Sequence, residues 1–129
     1  MFTVKQIEEA HRNVRSGADF PKYIQEIKDL GVQSFETWVN DSHTEYFGVN
    51  DFKTVSEPQY DLLTVSDELN KEKFAQKLKE HQKGETDYMQ FCRDCAENGI
   101  EKWKVDLDDY TCIYYDKKGG EVLKEIIPQ

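Results

Sequence analysis

One pattern of residues occurs twice in this chain, and the two copies lie 68 positions apart. In each copy an acidic residue precedes an aromatic one, apolar residues recur at helical spacing, and a glycine comes before two further apolar positions. The first copy contains Asp19, Phe20, Tyr23, Ile24, Ile27, Gly31, Val32 and Phe35, and the second contains Asp87, Tyr88, Phe91, Cys92, Cys95, Gly99, Ile100 and Trp103. Self-similarity at a fixed distance is typical of a repeated structural unit. The chain therefore predicts two copies of one arrangement of helices and strands.

The first half begins with two predicted helices. Thr3 and Gln6 have the spacing of a capping box, and apolar residues follow at helical spacing until Arg15. Asp19 is the predicted N-cap of the second helix, because its side chain can accept hydrogen bonds from amides of the first turn. Gly31 ends this helix, since glycine readily adopts the left-handed backbone conformation that closes many helices.

Three strands follow these helices. After Val32 the apolar period changes to two, which places Phe35 and Thr37 on one face of a strand and Trp38 on the other. Turn-forming residues then precede two further strands, over residues 44–47 and 52–56.

The second half repeats this order. A helix over residues 71–82 is opened by Asp67 or Asn70, and a second helix begins at Thr86 or Asp87. Three strands are then predicted, over residues 103–107, 110–115 and 121–127. Both halves therefore have the order helix, helix and three-stranded meander.

These elements predict the fold class and the domain organisation. We expect an α+β fold, an internally duplicated unit whose antiparallel sheet or sheets pack against about four helices. A chain of 129 residues suits a single domain, made of pseudo-repeats over about residues 3–58 and 70–128. A short segment bridges them, and its residues 60–65 are a further strand candidate. Packing of the halves as layers around a shared core is compatible with this pattern, which leaves open whether they form one sheet or two.

The charge of the chain limits the partners that it can bind. Asp and Glu total 26 against 17 Lys and Arg, which gives a net charge of −9. Binding to nucleic-acid phosphates needs a cationic surface, so we expect no direct nucleic-acid binding. A negative surface usually keeps a small protein soluble. The alternative is an acidic protein that mimics DNA for a DNA-binding partner.

The expected location follows from apolar stretches and cysteines. No apolar stretch is long enough to span a bilayer, and the N-terminus lacks a basic segment followed by an apolar one. The three cysteines, Cys92, Cys95 and Cys112, cannot all pair within one molecule, which suits a reducing compartment. We therefore expect a cytoplasmic protein that does not bind membranes.

Cys92 and Cys95 form a C-x-x-C motif. A thioredoxin-type site places its first cysteine at a helix N-terminus, but here the helix begins near Tyr88 and Cys92 lies about a turn inside it. A zinc site would need two more ligands, and no second cysteine pair supplies them. In the repeat these cysteines align with Ile24 and Ile27. The pattern predicts small buried side chains, no metal and no cofactor.

The histidines provide no coherent catalytic group. His11 lies on the apolar stripe of the first helix and His81 extends that of the third, yet the two do not align in the repeat. Asp41, Ser42 and His43 have the residue types of a hydrolase triad. Three residues of one tight turn cannot form the required chain of nucleophile, base and orienting acid. No catalytic residue is predicted.

Aromatic residues are the remaining candidates. Trp38 lies on the face opposite the predicted core, and the aligned pairs Tyr46-Phe47 and Tyr114-Tyr115 place aromatics on both faces of their strands. The simpler interpretation is a sheet covered on both faces by the protein itself. The alternative is a surface that binds a ligand or a partner, with Trp38 as its anchor.

Four stretches of the chain carry a family resemblance: residues 16–23, 86–92, 99–103 and 114–116. Through them the chain resembles the YbcV-like proteins, a family of small uncharacterised bacterial and prophage proteins that are sometimes labelled phage envelope protein. The resemblance extends nearly end to end. It implies no activity, catalytic residue, cofactor or ligand.

Three functions are compatible with these patterns. The first is a non-enzymatic accessory or binding domain, monomeric or homodimeric, whose partner is a protein or a small molecule. The second is an enzyme or small-metabolite binder with a cleft between the halves, and the third is a phage structural or DNA-mimic protein. The candidate binding residues are Trp38, Tyr46, Phe47, Tyr114, Tyr115, His11 and His81.

Overall fold

A computed structural model of the chain describes residues 2–12, 14 and 19–127. Within these residues there are four helices, α1 (Val4–His11), α2 (Phe20–Asp29), α3 (Lys71–Gln82) and α4 (Tyr88–Glu97). There are six strands, β1 (Ser34–Trp38), β2 (Thr44–Phe47), β3 (Lys53–Val55), β4 (Ile100–Asp106), β5 (Thr111–Asp116) and β6 (Glu121–Ile126). The predicted α+β class is confirmed. The predicted end of the first helix at Arg15 lies outside the described residues.

All six strands form one antiparallel sheet in the order β3-β2-β1-β4-β5-β6. The central pair joins the halves, with Phe35 of β1 opposite Val105 of β4. Of the two open alternatives the structure has the single sheet, because the halves lie side by side within it and do not pack as layers. Pairing β1 with β4 satisfies backbone groups that would otherwise form an open edge in each half. A common origin of the two halves stays a prediction.

Local hydrogen bonds explain where α1, α3 and α4 begin, whereas the predicted cap of α2, Asp19, makes no side-chain capping hydrogen bond. Thr3 and Gln6 form the predicted capping box, with hydrogen bonds of 3.2 and 2.9 Å between each side chain and the other residue's backbone amide. Asn70 opens α3 and Asp87 opens α4. The Oδ1 atom of each accepts a hydrogen bond from the backbone amide three residues later, at 3.1 and 2.8 Å. Short-range capping chemistry therefore determines these boundaries.

The predicted strand over residues 60–65 is wrong, because this segment is irregular. The amide of Leu63 donates to the carbonyl of Asn40 at 2.7 Å, and the amide of Ser66 donates to that of Ala96 at 2.8 Å. The bridge thus satisfies its backbone groups at the β1–β2 turn and the end of α4, where no strand edge runs alongside it. It ties the two halves together on the helix side of the sheet.

The bridge passes close to the backbone of Gly99, just after the end of α4. The φ of Gly99 is +85°, a conformation that side chains rarely adopt, and a Cβ atom built there would lie 2.7 Å from the carbonyl oxygen of Glu68. Glycine is therefore required both for the backbone conformation and for the close approach.

The four helices pack against one face of the sheet and bury an apolar core. Alternate strand positions face this core, among them Phe35, Tyr46, Trp103, Val105 and Tyr114. None of the described helices is long and apolar enough to cross a membrane.

Candidate binding surface

The face of the sheet opposite the helices is the candidate site. Its side chains are half-buried or exposed, apart from the buried Thr111. Strand register places them together: Ser34, Glu36, Trp38, Glu45, Phe47, Lys53, Val55, Lys102, Lys104, Asp106, Ile113, Tyr115, Glu121, Lys124 and Ile126. We call this surface the open face. A sheet covered on both faces would bury such a set.

A row of four side chains crosses the open face from the β1–β2 turn to β5. The rings of His43 and Trp38 stack at an interplanar angle of 5°, with their centroids 6.1 Å apart. Beyond Trp38, the Nζ atom of Lys102 lies 4.8 Å from the Trp38 centroid and 5.4 Å from the Tyr115 centroid. We call these four residues the aromatic row. The lysine between two rings makes favourable cation–π contacts that link β1, β4 and β5.

Polar contacts hold the aromatic row in place. Lys102 Nζ lies 3.1 Å from Glu36 Oε1, and the indole of Trp38 donates a hydrogen bond to Glu45 Oε2 at 3.3 Å. The hydrogen bond from Lys53 to Glu45 and the one from Trp38 lower the pKa of Glu45, although partial burial opposes this shift. The carboxylate therefore stays ionised and keeps accepting from the indole.

Asp41 and His43 pair at the end of this row. Although burial alone would raise the pKa of Asp41, hydrogen bonds from the amide and ring of His43 lower it overall, and the ring Nδ1 lies 2.6 Å from Oδ1. Ser42 takes no part, because its Oγ hydrogen-bonds the hydroxyl of Tyr88 at 2.5 Å. Asp41 thus orients the imidazole, but these three residues do not assemble a triad.

A shallow depression of about 350 Å³ lies on the open face, and one of its lining residues, Glu36, is the ion-pair partner of Lys102 in the aromatic row. It crosses the boundary between the two halves, because Phe47 and Glu36 of the first half and Lys104 of the second half line it together with Asp51. An aromatic wall with charges of both signs can contact a small polar ligand.

The charges on the open face balance. Four lysines and four acidic residues occupy its strand positions: Lys53, Lys102, Lys104, Lys124, Glu36, Glu45, Asp106 and Glu121. The whole chain has a net charge of −9. The net negative charge is therefore carried by the other surfaces.

The predicted aromatic pairs divide between the two faces. Phe47 and Tyr115 lie on the open face, whereas Tyr46 and Tyr114 face the helices and are 8% and 6% exposed. Burial raises the pKa of both tyrosines. Tyr46 and Tyr114 are core residues and cannot contact a partner on the open face.

The two predicted histidines lie on the helix side and in different halves. His11 packs edge-to-face on Tyr23, with centroids 5.2 Å apart, and His81 stacks on Phe91 at 4.4 Å. Burial lowers the pKa of His81, and partial desolvation lowers that of His11, although His11 is exposed overall. Neither belongs to the aromatic row.

The candidate binding residues named from the sequence omit five residues that build the site: Asp41, His43, Glu36, Glu45 and Lys102. The sequence suggests Asp41 and His43 only as members of a catalytic triad. The signal for the other three was their alternation with core positions on the strands. Their convergence, however, depends on the register between β1 and β4, which no local pattern indicates.

The cysteines lie in the core, as the repeat predicts. Cys92 and Cys95 are 0% exposed and Cys112 is 8% exposed. Burial raises the pKa of all three thiols, that of Cys112 to about 12. Among the described residues, no group of three or more His, Cys, Asp or Glu side chains is arranged to hold a metal ion.

Comparison with known proteins gives a family without a described activity. No curated protein matches the chain. A family model described as "Protein of unknown function (DUF1398)" matches residues 8–126, which extend from α1 to the end of β6. Because this match covers nearly all of the 129 residues, the chain belongs to the DUF1398 family of proteins of unknown function.

Proposed function

We propose that this protein is a non-enzymatic binding domain and that its open face binds the partner. The observation that carries the proposal is the aromatic row. Trp38 and Tyr115 remain partly accessible while Lys102 holds a fixed position between them. Tryptophan and tyrosine are enriched among the residues that dominate binding energies. Side chains already fixed by neighbours lose little conformational entropy on binding, which favours affinity.

Photo-crosslinking tests which surface the partner contacts. p-Benzoylphenylalanine replaces Ile113 on the open face or, as the control, Leu62 in the bridge, which is 76% exposed. The full chains are irradiated in cells that express them. We expect a specific adduct from position 113, and we expect Trp38→Ala to abolish it. Urea unfolding of the Trp38→Ala protein checks that the fold persists. An adduct from position 62 alone, or none from position 113, contradicts the proposal.

The depression favours a second candidate, binding or conversion of a small metabolite. Its volume of about 350 Å³ lies within the usual range for ligand sites, about 300–1,000 Å³. Phe47, Glu36 and Lys104 would contact the ligand. A thermal-shift screen of polar metabolites tests this candidate: a hit should stabilise the wild-type chain and lose its effect in Phe47→Ala. A screen without hits, or a hit insensitive to Phe47→Ala, counts against it.

We also propose that the chain is a single cytoplasmic domain built from two related units, over about residues 3–58 and 70–128. The same order of helix, helix and three strands in both halves supports this organisation. The stretches that resemble YbcV-like proteins support a place in that bacterial and prophage group. A single cooperative unfolding transition by two spectroscopic probes is expected, and two separated transitions would argue for independent units.

A further inference from the structure

We propose that the partner of the open face is a second copy of this chain. The two copies would face each other across a two-fold axis that runs parallel to the strands, between β1 and β4. This inference rests on the proposed function, since it identifies the partner of the same surface. A two-fold dimer uses one self-complementary patch twice, so the patch must match its own rotated image.

The distribution of charge selects this face for self-association. The chain carries a net charge of −9, so two copies repel each other over most of their surfaces. The strand side chains of the open face carry four lysines and four acidic residues, which removes this repulsion locally. Contact through the open face also keeps the two helix layers, with their negative charge, on opposite outer sides of the dimer.

The order of the charges across the strands selects the axis. Glu45 and Glu36 occupy β2 and β1, whereas Lys102 and Lys104 occupy β4, and Glu36 lies opposite Lys104 in the register. Rotation about an axis parallel to the strands places β1 over β4 of the second copy. Glu36 then approaches Lys104 of the second copy. An axis perpendicular to the strands would instead place β1 over β1, with Glu36 facing its own equivalent.

The same rotation buries the aromatic residues of both copies. It places β2 over β5 of the second copy. Phe47 and His43, which lie on and beside β2, therefore approach the strand that carries Ile113 and Tyr115. The edges of the Trp38 and Tyr115 rings thereby leave water in both copies. Apolar contacts of this kind give the affinity, and the charge order gives the orientation.

The size of the face predicts a weak dimer. Six strands about 4.8 Å apart span about 24 Å, and five residues extend about 17 Å along a strand, which gives a flat footprint of about 400 Å². Side-chain relief raises the accessible area above this footprint, but the interface stays at the small end of specific ones. We therefore expect a reversible dimer with a dissociation constant in the micromolar range.

Charge reversal and mixing test the inference. Sedimentation equilibrium of the full chain is measured for the wild type, Glu36→Lys and Lys104→Glu. Lys73→Glu on the exposed surface of α3 is the matched control. The wild type and the control should dimerise alike, and each open-face variant should bind itself about tenfold more weakly or worse, since like charges then meet across the axis. An equimolar mixture of the two open-face variants should restore dimers to the wild-type level.

Each substitution is still present in its own chain in the mixture, so restored dimerisation can come only from contacts between the two variants. Urea unfolding of each variant confirms that it is folded. A wild type that is monomeric at about 200 μM, far above the expected micromolar dissociation constant, overturns the inference. A dimer that neither variant weakens, or variants that mixing fails to rescue, overturns it too. If the wild type is monomeric while position 113 still crosslinks to another protein, the inference fails and the proposed function stands. If the wild type is monomeric and position 113 crosslinks to no protein, the inference and the proposed function both fail.

Discussion

The Nζ atom of Lys102 lies 4.8 Å from the centroid of the Trp38 ring. The two residues belong to β4 and β1, and they stand directly opposite each other in the register of the central strand pair. A side-chain contact therefore reinforces the backbone ladder that joins the first half of the chain to the second. It lies on the open face, so the structural link between the halves and the proposed binding surface share these residues.

Lys102→Met is expected to lower the free energy of unfolding by about 1 kcal/mol. Methionine keeps an apolar stem between the two rings but removes the charge over Trp38 and Tyr115, and it leaves the Glu36 carboxylate without its ion pair. Urea unfolding followed by tryptophan fluorescence measures the loss.

Lys104→Met is the matched control, because Lys104 lies two positions further along the same strand face and lines the depression. Its effect should stay within about 0.5 kcal/mol, as for most surface substitutions that break no specific contact. Equal losses for the two variants would show that the contact between Lys102 and Trp38 does not stabilise the sheet.

Gly99→Ala is expected to destabilise the fold by about 3 kcal/mol, because the added Cβ combines an unfavourable φ with a clash against the bridge. Gly84→Ala separates the two contributions: Gly84 has a φ of +80°, and a Cβ there meets no atom within 4 Å. This control should cost about 1 kcal/mol, which is the conformational cost alone. Thermal and urea unfolding measure both variants. If Gly99→Ala loses no more than Gly84→Ala, the bridge does not pack tightly on α4.

Features that depend on neighbouring residues could be predicted from the sequence. The capping box of Thr3 and Gln6 and the helix-ending glycines need only contacts within one turn, so local patterns indicate them. The alternation around Trp38 likewise predicts which face of β1 it occupies, because the strand period is two. These features determine the elements but not their arrangement.

The open face could not be predicted, because it depends on pairing between distant segments. Trp38 and Lys102 are neighbours only through the β1–β4 register, and each half alone offers two strand edges for such pairing. The strand predicted in the bridge is absent for a related reason. The apolar residues at 60–65 have a strand-like composition, but the chain satisfies their backbone groups at a turn and a helix end. Composition indicates that a segment suits a strand without indicating which groups its backbone will bond.

The three thiols are expected to be unreactive in the folded protein. Cys92 and Cys95 are fully buried and Cys112 nearly so, and burial raises the pKa of each, which leaves little thiolate to react at pH 8. Labelling with dithionitrobenzoate should be at least about a hundredfold slower than in unfolding concentrations of urea, where all three react. If Cys92 or Cys95 reacts in the native protein as fast as in urea, α4 opens to solvent, and a reactive role for the C-x-x-C motif is revived.

His81 is expected to make stability depend on pH near neutrality. Its ring stacks on Phe91 and contacts Thr86, and burial lowers the pKa of His81 even though the charges of Asp87 and Asp94 oppose that shift. The folded state therefore releases the proton more readily than the unfolded state, whose pKa stays near the ordinary value of about 6.5. As the pH falls through that value, the unfolded state gains protons first and the free energy of unfolding decreases. Below the lowered pKa of folded His81, this residue causes no further decrease in the free energy of unfolding.

Urea unfolding at several pH values between about 5.5 and 7.5 measures this slope, in a range above the ordinary carboxylate values of about 4. His81→Gln should flatten the profile, because glutamine does not titrate. His11→Gln should flatten it further, since partial desolvation also lowers the pKa of His11. The carboxylates of Asp41 and Glu45, whose pKa values are lowered, contribute stability that is lost only at more acidic pH. An unchanged slope in His81→Gln would mean that protonated His81 is accommodated in the fold without cost, against the burial of its ring beside Phe91.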